Sequence, residues 1–159
     1  MLNNTEIEFN KLIHTGELPK ILSYYNDNKD NINISAANYK AFRIACAYGY
    51  LPVAKWLVSI EPNCNILKYK PLFIVLCENG ELEIVKWLLT INDGIHNSLV
   101  DKYVFYGACS TGQLDTAQFL LSICPEIYES APFNDKNKAY YTAQMNGHNN
   151  IVEWLTTIN

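Results

Sequence analysis

Arginine is all but missing from this chain: Arg43 stands alone beside 11 lysines. Lys and Arg together number 12 against 16 Asp and Glu, so the net charge is −4. A mildly acidic chain of this kind has no basic footprint for nucleic acid or for anionic lipid. No apolar run approaches the roughly 20 residues that a membrane-spanning helix requires. The opening Met1-Leu2-Asn3-Asn4-Thr5-Glu6 has no basic region followed by an apolar one, so a secretory signal is not expected. CxxC and HxxxH pairs are absent, and His14, His96 and His148 stand far apart, which removes the ligand spacing of a zinc site. Glycine is scarce at seven residues, with no Gly-rich phosphate loop. The five cysteines (Cys46, Cys64, Cys77, Cys109, Cys124) are odd in number and widely spaced, which predicts reduced thiols and an intracellular, cytoplasmic setting.

Apolar material, by contrast, is ample. Hydrophobic residues make up 49% of the 159 and charged residues 18%, enough to build a core and inconsistent with disorder. The 19 Asn, 16 Ile and 11 Tyr are residues of A/T-rich codons, a bias that reports on a genome rather than on a function.

The chain repeats itself. Gly16, Gly49, Gly80, Gly112 and Gly147 follow one another at intervals of 33, 31, 32 and 35 residues. Seven residues before each stands an aromatic: Phe9, Phe42, Phe73, Phe105, Tyr140. Three before it the middle repeats carry Cys46, Cys77 and Cys109. Leu18, Leu51, Leu82 and Leu114 come two after it, and Trp56, Trp87, Phe119 and Trp154 come seven after. Before the glycine, apolar residues fall at the i, i+3, i+4 spacing of one helical face, and after it they do so again. Each unit is therefore predicted to be two short helices joined at the glycine, where a positive φ is needed. Pro19, Pro52, Glu83 and Asp115, three after the glycine, suit the first turn of a second helix. Pro62, Asp93 and Pro125 mark its end.

These units resemble the ankyrin repeat over essentially the whole chain. The run small-small-x-x-Gly-x-Leu is matched by Ala45-Cys46-Ala47-Tyr48-Gly49-Tyr50-Leu51 and by Ala108-Cys109-Ser110-Thr111-Gly112-Gln113-Leu114. No repeat keeps the family's Thr-Pro-Leu-His opening, to which Pro71-Leu72-Phe73-Ile74 comes nearest, and the Asp-x-x-Gly hairpin tip is missing. The Trp-Leu-x-Ser/Thr-Ile ending is similar to divergent arrays of large DNA viruses and amoebal hosts. The resemblance implies an all-α, helix-turn-helix solenoid of about five repeats with irregular inter-repeat loops. Approximate repeats are 1–33, 34–64, 65–96, 97–130 and 131–159, in a single domain, with the first and last acting as caps of a complete short array.

Chemistry finds little purchase in such a frame. Cys46, Cys77 and Cys109 share a column that faces the neighbouring repeat. At the roughly 8–10 Å spacing of packed helices they lie beyond disulfide reach and should be small buried thiols. Cys64 and Cys124, just past second helices, are expected to be exposed. The tryptophans should be partly buried beside Leu57, Leu88 and Leu155. No catalytic residue, metal or cofactor is expected. A metal-dependent or cysteine-based hydrolase would need a pocket and an acid–base pair. A target-recruiting adaptor of a ubiquitin ligase would need an F-box-like appendage.

Binding of a protein partner remains, by a monomer and without nucleic acid or membrane; the partner would be a host factor if the chain is viral. By the family's architecture the concave face is made by residues 13, 12 and 10 before each glycine and the two just before it. That places Tyr39, Tyr48 and, beside them, Tyr50 on the face. Lys68, Lys70, Glu78 and Asn79 follow in the third repeat, then Leu99, Val100 and Lys102 in the fourth. Tyrosines amid mixed charge are the material of interface hot spots.

Overall fold

The computed structural model describes residues 2–62, 70–91, 99–129 and 133–158, with the side chains of 129 and 133–137 outside the description. All regular structure among the described residues is helical. Two compact units are present, Met1–Ile66 and Leu67–Asn159.

The first unit holds α1 (Asn4–Ile13), α2 (Leu18–Asn28), a 3₁₀ turn (Lys29–Asn31), α3 (Ala36–Ala47) and α4 (Leu51–Ile60). α1 starts on a reciprocal cap: the Asn3 side chain accepts the Glu6 N–H while the Glu6 carboxylate accepts the Asn3 N–H, both at 2.8 Å. The other oxygen of Glu6 accepts the Asn33 N–H at 3.2 Å, tying α1 to the approach of α3. α2 and α4 each carry Pro in their first turn, where its missing N–H costs nothing. Within this unit α1 packs on α2 and α3, and α3 on α4.

The second unit holds α5 (Lys70–Asn79), α6 (Leu82–Thr90), α7 (Lys102–Ser110), α8 (Leu114–Ile123), α9 (Glu126–Glu129), α10 (Phe133–Met145) and α11 (Asn149–Thr157). Its first helices stack in order, α5 on α7 and α7 on α10, and each is backed by its own second helix, α6, α8 or α11. The short α9 touches α7 and α8.

The periodic columns become the core. Phe9, Phe42, Phe73 and Phe105 are all fully buried, each contributing roughly 1.5–3 kcal/mol of burial. Trp56 lies edge-on to Phe9 with ring centroids 6.3 Å apart, and Trp154 lies edge-on to Phe105 at 6.3 Å. The tryptophans are half-buried beside the buried Leu57, Leu88 and Leu155, as their position in the repeat predicts. Cys46, Cys77 and Cys109 are fully buried and stand outside any disulfide. Cys124 departs from expectation: it is 4% exposed, because α9 folds back and covers it. Cys64 lies outside the described residues.

All five turn glycines have φ between +69° and +81°. Three of the joints share one construction. The residue that follows a glycine reaches back over the glycine of the preceding repeat and bonds the carbonyl two residues before it. Tyr50 covers Gly16 and its hydroxyl donates to the His14 carbonyl at 3.1 Å. Gln113 covers Gly80 and its Nε2 donates to Glu78 at 3.2 Å. His148 covers Gly112 with Nε2 3.0 Å from the Ser110 carbonyl, an acceptor to which Nε2–H donates. A Cβ on Gly16, Gly80 or Gly112 would stand within 2.7 Å of the covering side chain. Here the glycine serves twice, for its φ and for the room above it.

Candidate partner-binding surface

In the first unit the expected residues form a cluster. Tyr48, at the end of α3, is 56% exposed and stacks on Tyr50, with centroids 6.0 Å apart and planes 19° apart. The exposed His14 meets Tyr48 edge-on at 5.0 Å. Because Tyr50 is already fixed on Gly16, the stack presents the Tyr48 ring from a rigid base. Sequence reading missed His14, whose only signal was its place two residues before a glycine.

Tyr39 is half-buried at the start of α3. Ala37, Asn38 and Tyr39 all sit in the left-handed region, with φ of 47°, 61° and 54°. Left-handed backbone costs roughly 1–2 kcal/mol per non-glycine residue, with Asn the most tolerant of the three. Regular right-handed helix begins only after this turn. The sequence places Tyr39 near the face but gives no sign of this local reversal.

In the second unit Lys70, Glu78 and Lys102 have neighbours within it. Lys70 forms an ion pair with Asp101, which also caps α7 by accepting the Tyr103 and Val104 N–H groups at 2.9 and 3.1 Å. Partial burial works against the charge on Asp101. The hydrogen bonds from Lys70 and the two amides outweigh it and hold the carboxyl below its ordinary range. Glu78 is half-buried and lies against Gly107 of α7. Asn79 is exposed, and Lys102 is half-buried with its ammonium 5.6 Å from the centre of the Tyr103 ring. Lys68 lies outside the described residues. Leu99 and Val100, expected on the face, are each 2% exposed and belong to the core instead. Tyr103 at 60% exposure, with Tyr141 and Met145, supplies the exposed apolar material of the first helices that sequence reading passed over or named without weight.

Chemically the thiols are quiet. Burial, then the Glu78 charge, pushes Cys77 up to about 12, and burial alone takes Cys109 to about 12. Burial and the bond and charge of Glu126 raise Cys124 to about 11. Thiols held neutral in this way are weak nucleophiles. Among the described residues no group of three or more His, Cys, Asp or Glu is placed to hold a metal ion. None of the described helices is long and apolar enough to cross a membrane.

A family model of ankyrin repeats in three copies matches residues 72–159, more than half of the chain. No curated protein matches the chain. The matched span covers the stacked helix pairs of the second unit, and the glycine joint found there recurs in the first. The chain belongs to the ankyrin-repeat family.

Proposed function

We propose that this chain is a non-catalytic recognition module that binds a protein partner, as a cytoplasmic monomer, through the concave face of a single array spanning 1–159. Ankyrin repeats are generally protein–protein interaction modules. The contact residues are Tyr39, Tyr48, Tyr50, Lys68, Lys70, Glu78, Asn79 and Lys102, with His14 and Tyr103 added on exposure. A viral origin would make the partner a host factor. The observation that carries this reading is the His14–Tyr48–Tyr50 cluster, in which an aromatic ring is exposed yet held by a stack and a hydrogen bond. Rigid tyrosine offers large contact area at low entropic cost.

Affinity capture followed by mass spectrometry tests it, with wild type compared against Tyr48→Ala and Asn79→Arg together. Lys70→Glu is a poor choice, because it would set a carboxylate against Asp101. The double variant is expected to lose a partner that wild type retains, while stability changes by at most about 1 kcal/mol. Retention by that variant, with loss on altering Lys55 and Lys86 of the second helices, would move the partner to the other face.

A further inference from the structure

The charges of the second unit are sorted by helix. Among the described side chains, its second helices with their caps and α9 carry Glu81, Glu83, Asp115, Glu126 and Glu153. Lys86 is the one described cation there, and it is paired with Glu83 at 2.9 Å. The first helices carry Lys70, Lys102 and Lys138. Exposed apolar material is sorted the same way. Tyr103 of α7 is 60% exposed, and on α10 Tyr141 is 55% and Met145 85% exposed. Lys138, Tyr141 and Met145 fall at i, i+3 and i+7, which is one face of α10. Tyr103 and Tyr106 share a face of α7, the helix that packs against α10.

Four of these side chains form one connected patch. The Lys102 ammonium lies 5.6 Å from the centre of the Tyr103 ring. Tyr103 stands edge-on to Tyr106, with centroids 6.5 Å apart. The Lys138 ammonium lies 5.6 Å from the centre of the Tyr106 ring. Tyr106 is buried and serves as the base on which the outer groups rest. A ring face steadies an ammonium without neutralising it. No described carboxylate lies within ion-pairing distance of Lys138. Asp101, next to Lys102 in the chain, is occupied by Lys70 and by two amide N–H groups. Glu78 lies against Gly107, one turn along α7 from Tyr103, and marks where the basic patch ends.

Exposed aromatic surface between fixed ammoniums calls for carboxylates on either side of an apolar side chain. Nucleic acid is a poorer match, because its affinity comes from neutralising many phosphates, and the second helices behind this patch are acidic. We infer that the Lys102–Tyr103–Tyr106–Lys138 patch receives an acidic segment of a partner polypeptide. Carboxylates accept from the two ammoniums, and an apolar side chain lies on Tyr103 and Tyr141. The inference rests on the protein-binding reading for the existence of a partner and adds the chemistry of the segment that docks.

The test is titration of the isotope-labelled full chain with the acetylated, amidated peptide Asp-Glu-Leu-Tyr-Glu-Asp, followed by amide shifts in NMR. A counterpart with Asn and Gln in place of the acids, and oligouridylate, serve as comparisons. Shifts are expected to cluster on Lys102, Tyr103, Tyr106, Lys138 and Tyr141 and to weaken with salt. Lys102→Gln and Lys138→Gln together should weaken binding about tenfold. Arginine at both positions should restore it, which separates lost charge from lost folding. Tyr103→Ala should weaken binding severalfold with the melting temperature nearly unchanged. Equal binding of the neutral peptide, or full binding by the glutamine variant, would overturn the inference. Tighter binding of oligouridylate would reassign the patch to nucleic acid. Sedimentation showing self-association that the glutamine variant abolishes would give the patch to a second copy of the chain. Partner capture that the glutamine variant leaves intact would overturn this inference alone, whereas failure of the protein-binding reading would show as no captured partner at all.

Discussion

The two units build the same core and fasten it differently. In the first, Phe9 is boxed by Trp56 at 6.3 Å and Tyr25 at 6.1 Å; in the second, Phe105 is boxed by Trp154 at 6.3 Å and Tyr128 at 6.0 Å. Yet Tyr25 comes from the end of a second helix and Tyr128 from the extra short helix α9. The joints diverge further, with tyrosine over Gly16, glutamine over Gly80 and histidine over Gly112. Packing has conserved a geometry here while leaving the means open. Volume and reach set the requirement, and more than one residue meets it.

That comparison can be broken most directly at the core. Phe105→Ala and Phe9→Ala should each cost about 3–5 kcal/mol in chemical denaturation, with Phe105 at the upper end because Tyr128 is buried and Tyr25 only half so. A cheap Phe9→Ala beside a costly Phe105→Ala would show that the two boxes are not equivalent.

The joints come next. Gly112→Ala should combine the left-handed backbone penalty of about 1–2 kcal/mol with an overpacking cost of about 1–3 kcal/mol against His148. Gly147 has φ of +78° but nothing within 4 Å of an added Cβ, so Gly147→Ala should show the first penalty alone. Equal losses on thermal or denaturant melts would mean that the covering side chain simply swings away. Removing one hydrogen bond without the ring is gentler: Tyr50→Phe should cost about 0.5–1.5 kcal/mol, and less if water replaces the carbonyl partner.

The smallest effect separates the carboxylates that open first helices. Asp101 has a folded pKa below its unfolded value, so it contributes stability that is fully present above the unfolded value, near 3.9, and is lost as pH falls below that toward the folded value. Asp101→Asn should therefore flatten the acid limb of a stability–pH curve, and Lys70→Met should do so in part. An unchanged limb in both would remove the ion pair from the account.

Repeat number, helix pairing and the core columns were legible because they follow from period and from one conformationally special residue. Five glycines in register predicted five positive φ values, and the Phe column predicted the largest buried side chains. What escaped the sequence has no period. Cys124 was expected outside because it follows a helix end, and the next few residues, Glu126–Glu129, turned back to cover it. Leu99 and Val100 occupy positions that the family pattern exposes, but as apolar side chains just ahead of α7 they are buried instead. Lys70 is expected on the face from its place ten residues before Gly80, and only the fold brings Asp101, 31 residues later, against it. Of the expected contact surface, the Tyr48–Tyr50 pair lay together as sequence neighbours must, whereas His14 joined them through a joint that the column pattern does not encode.

That joint has a consequence for how such a chain can change. Its acceptor is a main-chain carbonyl, at His14, Glu78 or Ser110, and every residue type carries one. Mutation at those three positions can thus rewrite what the surface displays without unfastening the repeats, provided that the backbone keeps its course. Assembly and display draw on different atoms of the same residue, which lets selection act on one while the other stands still.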